Sequence, residues 1–234
     1  MVTWLLPPQI PWPQFLRLLR RPAPPPGWLE AAADLPELQK RPMLLRWIAQ
    51  HLQTPAHLRN RLLPSLPWRA LVAIAGDPAA HPQARSHALD RLRSRWPVMS
   101  MGERRSLAPL APAGLWPLIW KVRNGEILAA FLQNPSLNAE GLERLVQPGL
   151  TAMQADALQV SRWREVVPIA HQVLVALDRG LGQQESGLVL GHAAPWIRAL
   201  PAEERLLAAG RLSHPALRRM ARTWALARGE AEAE

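Results

Sequence analysis

The chain has 234 residues, 48% of them hydrophobic, and a formal charge of +10 carried almost entirely by arginine. With no cysteine, it has no disulfides, thiolate zinc sites, iron–sulfur clusters or cysteine nucleophiles, and it fits a reducing compartment. The basic balance favours acidic partners such as nucleic acid, anionic headgroups or acidic protein patches, although an Arg, Ala, Pro and Leu bias also arises from a GC-rich genome.

Residues 1–40 read as a proline-rich lead-in. Pro7, Pro8, Pro11 and Pro13 interrupt the apolar start, which makes it a poor signal peptide. Pro22, Pro24, Pro25 and Pro26 predict an extended spacer. Between them, Phe15 to Arg20 is a short amphipathic piece that either caps a core or docks on a partner. Trp4, Trp12 and Trp28 are anchors, onto this chain or onto a partner.

A helical-repeat domain is expected over 41–227, followed by a frayed, charged tail at 228–234. Met43, Leu44, Trp47, Ile48 and Leu52 have the spacing of one buried helix face. Pro55 starts a second helix, which Pro64 and Pro67 stop, and Trp68 to Ala75 forms a third. Gly76-Asp77-Pro78 is a turn, and Pro82 to Trp96 a longer helix. Ser100 with Glu103, and Thr151 with Gln154, are capping boxes, in which each end of the pair closes a free backbone N–H.

Helices are expected at Asn124 to Leu132, Asn138 to Val146 and Arg162 to Leu177, then a loop or a degraded unit from Asp178 to Gly191. Two last helices are expected at Pro201 to Ala209 and Pro215 to Ala227. The most apolar stretch, Val166 to Leu177, contains Pro168, His171 and Gln172 and is too short to span a membrane. Tyrosine is absent and β-branched residues are few, so a sheet has little to build on. The expected fold class is all-α.

One phrase recurs: a small or polar residue, a proline, then a helical pattern. It occurs at Thr54-Pro55, His81-Pro82 and His214-Pro215, with a close relative at Asn134-Pro135. Proline is favoured at the first helical position, where its missing N–H has no intrahelical partner. Repeated start signals predict an α-solenoid of short antiparallel helix pairs.

Phe131-Leu132-Gln133-Asn134-Pro135-Ser136-Leu137-Asn138, with Leu142 and Leu145, carries a family likeness. His51-Leu52-Gln53-Thr54-Pro55-Ala56-His57-Leu58 is a second instance, and Ala75-Gly76-Asp77-Pro78 a more diverged third. Through these phrases, Arg41 to Leu177 resembles bacterial helical-repeat proteins of the HEAT-like and leucine-rich-variant kind. The resemblance implies a superhelical scaffold and no particular activity. One variant class carries an iron–sulfur cluster, which a chain without cysteine cannot hold.

The sharpest binding candidates are Arg59, Arg61, Arg69, Arg85, Arg91, Arg93, Arg95, Arg104 and Arg105, with Trp68 and Trp96 among them. Lined up on one face they would hold phosphates, and the indoles would stack on bases. The alternative is a solvated arginine face over buried tryptophans. His51 with His57, and His81 with His87, are six apart and do not share a helix face as paired metal ligands would. His81 and His214 belong instead to the turn before each proline.

Asp90 and Asp156 are the carboxylates that a base-excision enzyme of helical-repeat type would need, but no motif selects either. The expectation is a cytoplasmic, non-enzymatic scaffold with no cofactor and no metal, whose partner is another protein. The alternative is a nucleic-acid-binding solenoid.

Overall fold

The computed structural model describes residues 11–181, 183 and 186–231, with side chains up to Leu226. Trp4 lies outside the described residues, as does the last part of the expected tail. Every regular element among the described residues is helical, so the fold is all-α. No described helix is long and apolar enough to cross a membrane. The chain divides into two compact units at Met99/Ser100.

The first unit holds α1 (Trp12–Leu19), α2 (Trp28–Ala33), α3 (Pro36–Gln39), α4 (Pro42–Gln50), α5 (Ala56–Leu62), α6 (Trp68–Gly76) and α7 (Pro82–Arg95). Short 3-10 turns follow α5 (Leu63–Ser65) and α7 (Trp96–Val98), where Pro64 and Pro97 forbid a further α-turn. The proline-rich lead-in belongs to this unit. Phe15, Leu19, Trp28 and Leu29 are buried, and the Phe15 and Trp28 rings lie 5.2 Å apart. Gly27, at a φ of 74°, turns the polyproline run into α2, a backbone angle that glycine adopts without strain. Helix α4 is the hub, touching α2, α3, α5, α6 and α7.

The second unit holds α8 (Met101–Leu107), α9 (Trp116–Trp120), α10 (Gly125–Leu132), α11 (Ala139–Val146), α12 (Ala152–Gln159), α13 (Val167–Gly180), α14 (Ala194–Ala199), α15 (Ala202–Arg211) and α16 (Pro215–Ala231). Here sequence neighbours pack together in α9 with α10, α13 with α14 and α15 with α16, and other contacts skip one helix. Helix α10 touches α8 and α12, α11 touches α9 and α13, α13 touches α15, and α14 touches α16. Helix α11 comes close enough to α9 that a Cβ on Gly141 would stand 2.6 Å from the Trp116 ring.

The start signals work as their chemistry requires. Ser100 with Glu103, and Thr151 with Gln154, form both capping boxes. Asn124 and Asn138 cap α10 and α11 through their side-chain oxygens. His81 caps α7 by accepting the Gln83 N–H at Nδ1, and His214 accepts the Ala216 N–H in the same way. Pro55 stands one place earlier than expected, as the N-cap of α5.

Several elements depart from the sequence expectation, among them Arg162 to Leu177, where a 3-10 turn (Arg162–Glu165) and an extended Val166 precede α13. Helix α13 continues through Asp178 to Gly180 before Leu181 turns extended. Helix α14, with Trp196 and Ile197 fully buried, is not among the expected helices, although Pro195 stands in its first turn. Helix α16 runs past Ala227 to Ala231.

Side chains that reach backbone carbonyls tie the elements together inside each unit. The Asn134 amide donates to the carbonyls of Ala108 (3.3 Å) and Ala111 (2.9 Å), while its oxygen accepts the Ser136 N–H at 2.8 Å. Trp163 Nε1 donates to Leu132 O, and Gln154 Nε2 to Trp120 O. Arg205, 5% exposed, donates to the carbonyls of Ile197, Arg198 and Trp224. Several of these bonds, those to Leu132, Trp120, Ile197 and Arg198, satisfy carbonyls in the last turn of a helix, which the helix itself leaves open.

Candidate binding surface

The arginines singled out in the sequence fall seven in the first unit and two, Arg104 and Arg105, in the second. Several are committed to the fold. Arg59 is 4% exposed, donates Nη2 to Gln83 Oε1 at 3.0 Å, and keeps Nη1 buried without a protein acceptor. Burial lowers its pKa, and its charge also presses on His81. The His81 ring is held below its usual 6.5, first by burial and then by Arg59. Arg95 donates to the carbonyls of Leu66 (2.6 Å) and Pro64 (2.5 Å), closing the turn after α5.

Others pair at the surface. Arg61 meets Asp34 at 2.7 Å, Arg93 meets Asp90, and Arg105 meets Glu126, both at 3.1 Å. Such exposed pairs contribute little to stability. Arg69 lies over the Trp68 ring, Arg85 and Arg104 are half-buried, and Arg91 is exposed. Trp96 is 4% exposed and belongs to the core, so its faces are covered by protein. Of the two candidate carboxylates, Asp90 is the partner of Arg93, and Asp156 lies 3.6 Å from His192 Nε2.

The charge is unevenly distributed. Thirteen of the 28 basic residues but only five of the 18 acidic ones fall in residues 1–99, giving that unit a formal +8 against +2 for the rest.

That unit also contains a seam between α1 and α4 that the sequence does not announce. Arg41, at the start of α4, lies over the ring of Trp12, at the start of α1, 4.5 Å from its centroid. Arg20, at the end of α1, lies over the ring of Trp47, in the second half of α4, at 4.8 Å. The exchange is reciprocal, start to start and end to end, so the two helices run side by side in the same sense. His51 completes it, with Nε2 donating to Arg21 O at 2.8 Å and Nδ1 accepting the Gln53 N–H. These two bonds fix the tautomer with the proton on Nε2.

A cleft opens at each end of the seam. The one at the start, about 440 Å³, is lined by Trp12, Leu16, Arg41, Pro42, Met43 and Leu44, and Met43 is 56% exposed. The one at the end, about 420 Å³, is lined by Arg20, Arg21, Trp47, Gln50, His51 and Asp77, among others. Inside it the Asp77 carboxylate is already engaged, by the Ala79 N–H at 2.9 Å and by Gln50 Nε2 at 3.4 Å. Pairings some 30 residues apart leave no local signal, so pattern alone does not reveal the seam.

No protein-family model, curated protein or solved structure matches the chain.

Proposed function

We propose that the protein is a non-enzymatic helical-repeat scaffold that binds another protein, as a subunit of a larger assembly. The observation that supports this most is the alternation of helix contacts in the second unit, where each of α10 and α11 touches the helix two before and the helix two after it. Two layers of alternating helices are the construction rule of an α-solenoid, and the second unit is then a short stretch of superhelix made of helix pairs. The HEAT-like resemblance of Arg41 to Leu177 points the same way. Helices fixed by side chain-to-carbonyl ties present a surface that loses little conformational freedom on binding.

The test is cross-linking of the native protein in its own cell, followed by mass spectrometry and by small-angle scattering of the purified chain. A scaffold gives reproducible cross-links to one or a few proteins and an elongated scattering profile. A chain that remains a compact monomer without cross-links overturns it.

A second function is favoured by one observation, the +8 charge of residues 1–99: a nucleic-acid-binding surface. It requires binding to oligonucleotides at physiological salt that falls steeply as salt rises. The scaffold stands first because Arg59, Arg95 and Trp96, which a phosphate- and base-binding face would use, are occupied inside the fold.

A further inference from the structure

Building on that scaffold function, we infer that the α1/α4 seam is the docking site for an extended acidic segment of the partner protein, whose carboxylates are held by Arg20 and Arg41. The chemistry follows from the two stacked pairs. A guanidinium lying on an indole is already oriented, so less side-chain freedom is lost when it engages an acceptor. Both arginines are exposed, and a planar guanidinium fork matches a carboxylate with two parallel hydrogen bonds. Each arginine covers one face of its indole, which leaves less of the ring for stacked bases.

The spacing sets the ligand's geometry. Trp12 and Arg20 are eight residues apart along one helix direction, or about 12 Å at the α-helical rise. An extended peptide covers the same distance in about four residues, so two acidic residues separated by three others reach both forks. The intervening side chains meet apolar wall: Leu16, Met43 and Leu44 line one cleft, and Leu52 the other. The +8 of the unit attracts an acidic segment from a distance. Asp77, lining the second cleft, opposes dense polyanions more than a single carboxylate.

The experiment uses the full chain and a short fluorescein-labelled peptide in which two glutamates are separated by three leucine or glycine residues. Its controls are the same peptide with glutamines, and labelled oligothymidylate, all read by fluorescence anisotropy. The glutamate peptide binds saturably, and the glutamine peptide binds at least about tenfold more weakly, the equivalent of one charge-assisted bond lost. Arg20→Gln and Arg41→Gln each cost about the same factor, whereas Arg20→Lys recovers only part, since lysine keeps the charge without the fork.

Equal binding of the two peptides, unchanged affinity in both Arg→Gln variants, or tighter binding of oligothymidylate than of the glutamate peptide overturns the inference. So does a full-length dimer that Arg41→Gln dissociates, which would make a second copy the occupant. Where a variant unfolds, the glutamate-to-glutamine comparison on the unaltered chain still decides. If cross-links to a partner fall only in residues 100–234, the scaffold stands and this site does not.

Discussion

The carboxylate of Asp178, in the last turn of α13, receives the backbone N–H of His214 at 2.7 Å through one oxygen and that of Ser213 at 2.7 Å through the other. A helix N-terminus leaves its first N–H groups without partners and carries partial positive charge. The residue that answers this demand at α16 comes from another helix, 36 positions earlier. Asp178 is therefore a second capping acceptor, delivered from a distance beside the His214 ring that takes the Ala216 N–H. Asp178→Ala removes both acceptors and lowers unfolding free energy by about 1–2 kcal/mol, whereas Asp178→Asn keeps one and loses about half as much. Urea titrations of the two variants check the order.

A pH-sensitive cap lies at α7. The Nδ1 atom of His81 accepts the Gln83 N–H, a bond only the neutral ring can make. Burial and the Arg59 charge lower its pKa below 6.5, so the folded chain holds the proton less tightly than the unfolded one. The resulting stability is fully present above 6.5 and is lost as pH falls from there through the lowered folded value. His81→Asn keeps the cap without the titration. Its melting temperature minus that of the native chain rises as pH drops from 7 to about 5, while near pH 8 the difference is small. A difference that stays flat with pH would remove His81 from this role.

Much of this was legible beforehand, for reasons of distance along the chain. Capping by Ser100, Thr151, Asn124 and Asn138 depends on neighbours within three residues, and so it shows in the sequence. Helix α14 has no side-chain cap, since Ala193 precedes it, and Pro195 in its first turn is its one local start signal. The candidate site divides in the same way. Arginine enrichment is visible as composition, but whether an arginine serves binding or the fold depends on which carbonyls lie within reach. Arg95 reaches Leu66, 29 positions back, and Arg20 reaches Trp47, 27 ahead, and neither pairing leaves a periodic trace.

Asn134 holds three bonds at once. Its amide satisfies the Ala108 and Ala111 carbonyls, its oxygen takes the Ser136 N–H, and the residue is 1% exposed. Asn134→Ala leaves the Ser136 N–H without its acceptor and takes one of two donors from each carbonyl. Ala108 O keeps the Ala111 N–H and Ala111 O keeps Trp116 Nε1, so the cost is about 1–2 kcal/mol. Asn134→Asp costs more, because a buried carboxylate then faces two carbonyl oxygens with no donor between them. Thermal unfolding separates the two, with Asp the less stable at pH 7 and the gap narrowing in acid as the carboxylate gains a proton able to donate.

Gly141 tests how closely α11 approaches α9. Alanine would ordinarily favour a helix interior by about 1 kcal/mol over glycine. Here the added Cβ meets the Trp116 ring at 2.6 Å, and that ring is held by its Nε1 bond to Ala111 O at 3.0 Å. A tethered indole yields less readily than a flexible side-chain end, so overpacking of about 1–3 kcal/mol outweighs the propensity gain. Gly141→Ala is net destabilising by about 1 kcal/mol. Trp116→Leu removes the ring contact and leaves the one with the capping Asn138 Oδ1, 2.9 Å from the added Cβ, so Gly141→Ala costs less in that background without becoming free. A double-mutant cycle by chemical denaturation reads the difference as the coupling between positions 141 and 116.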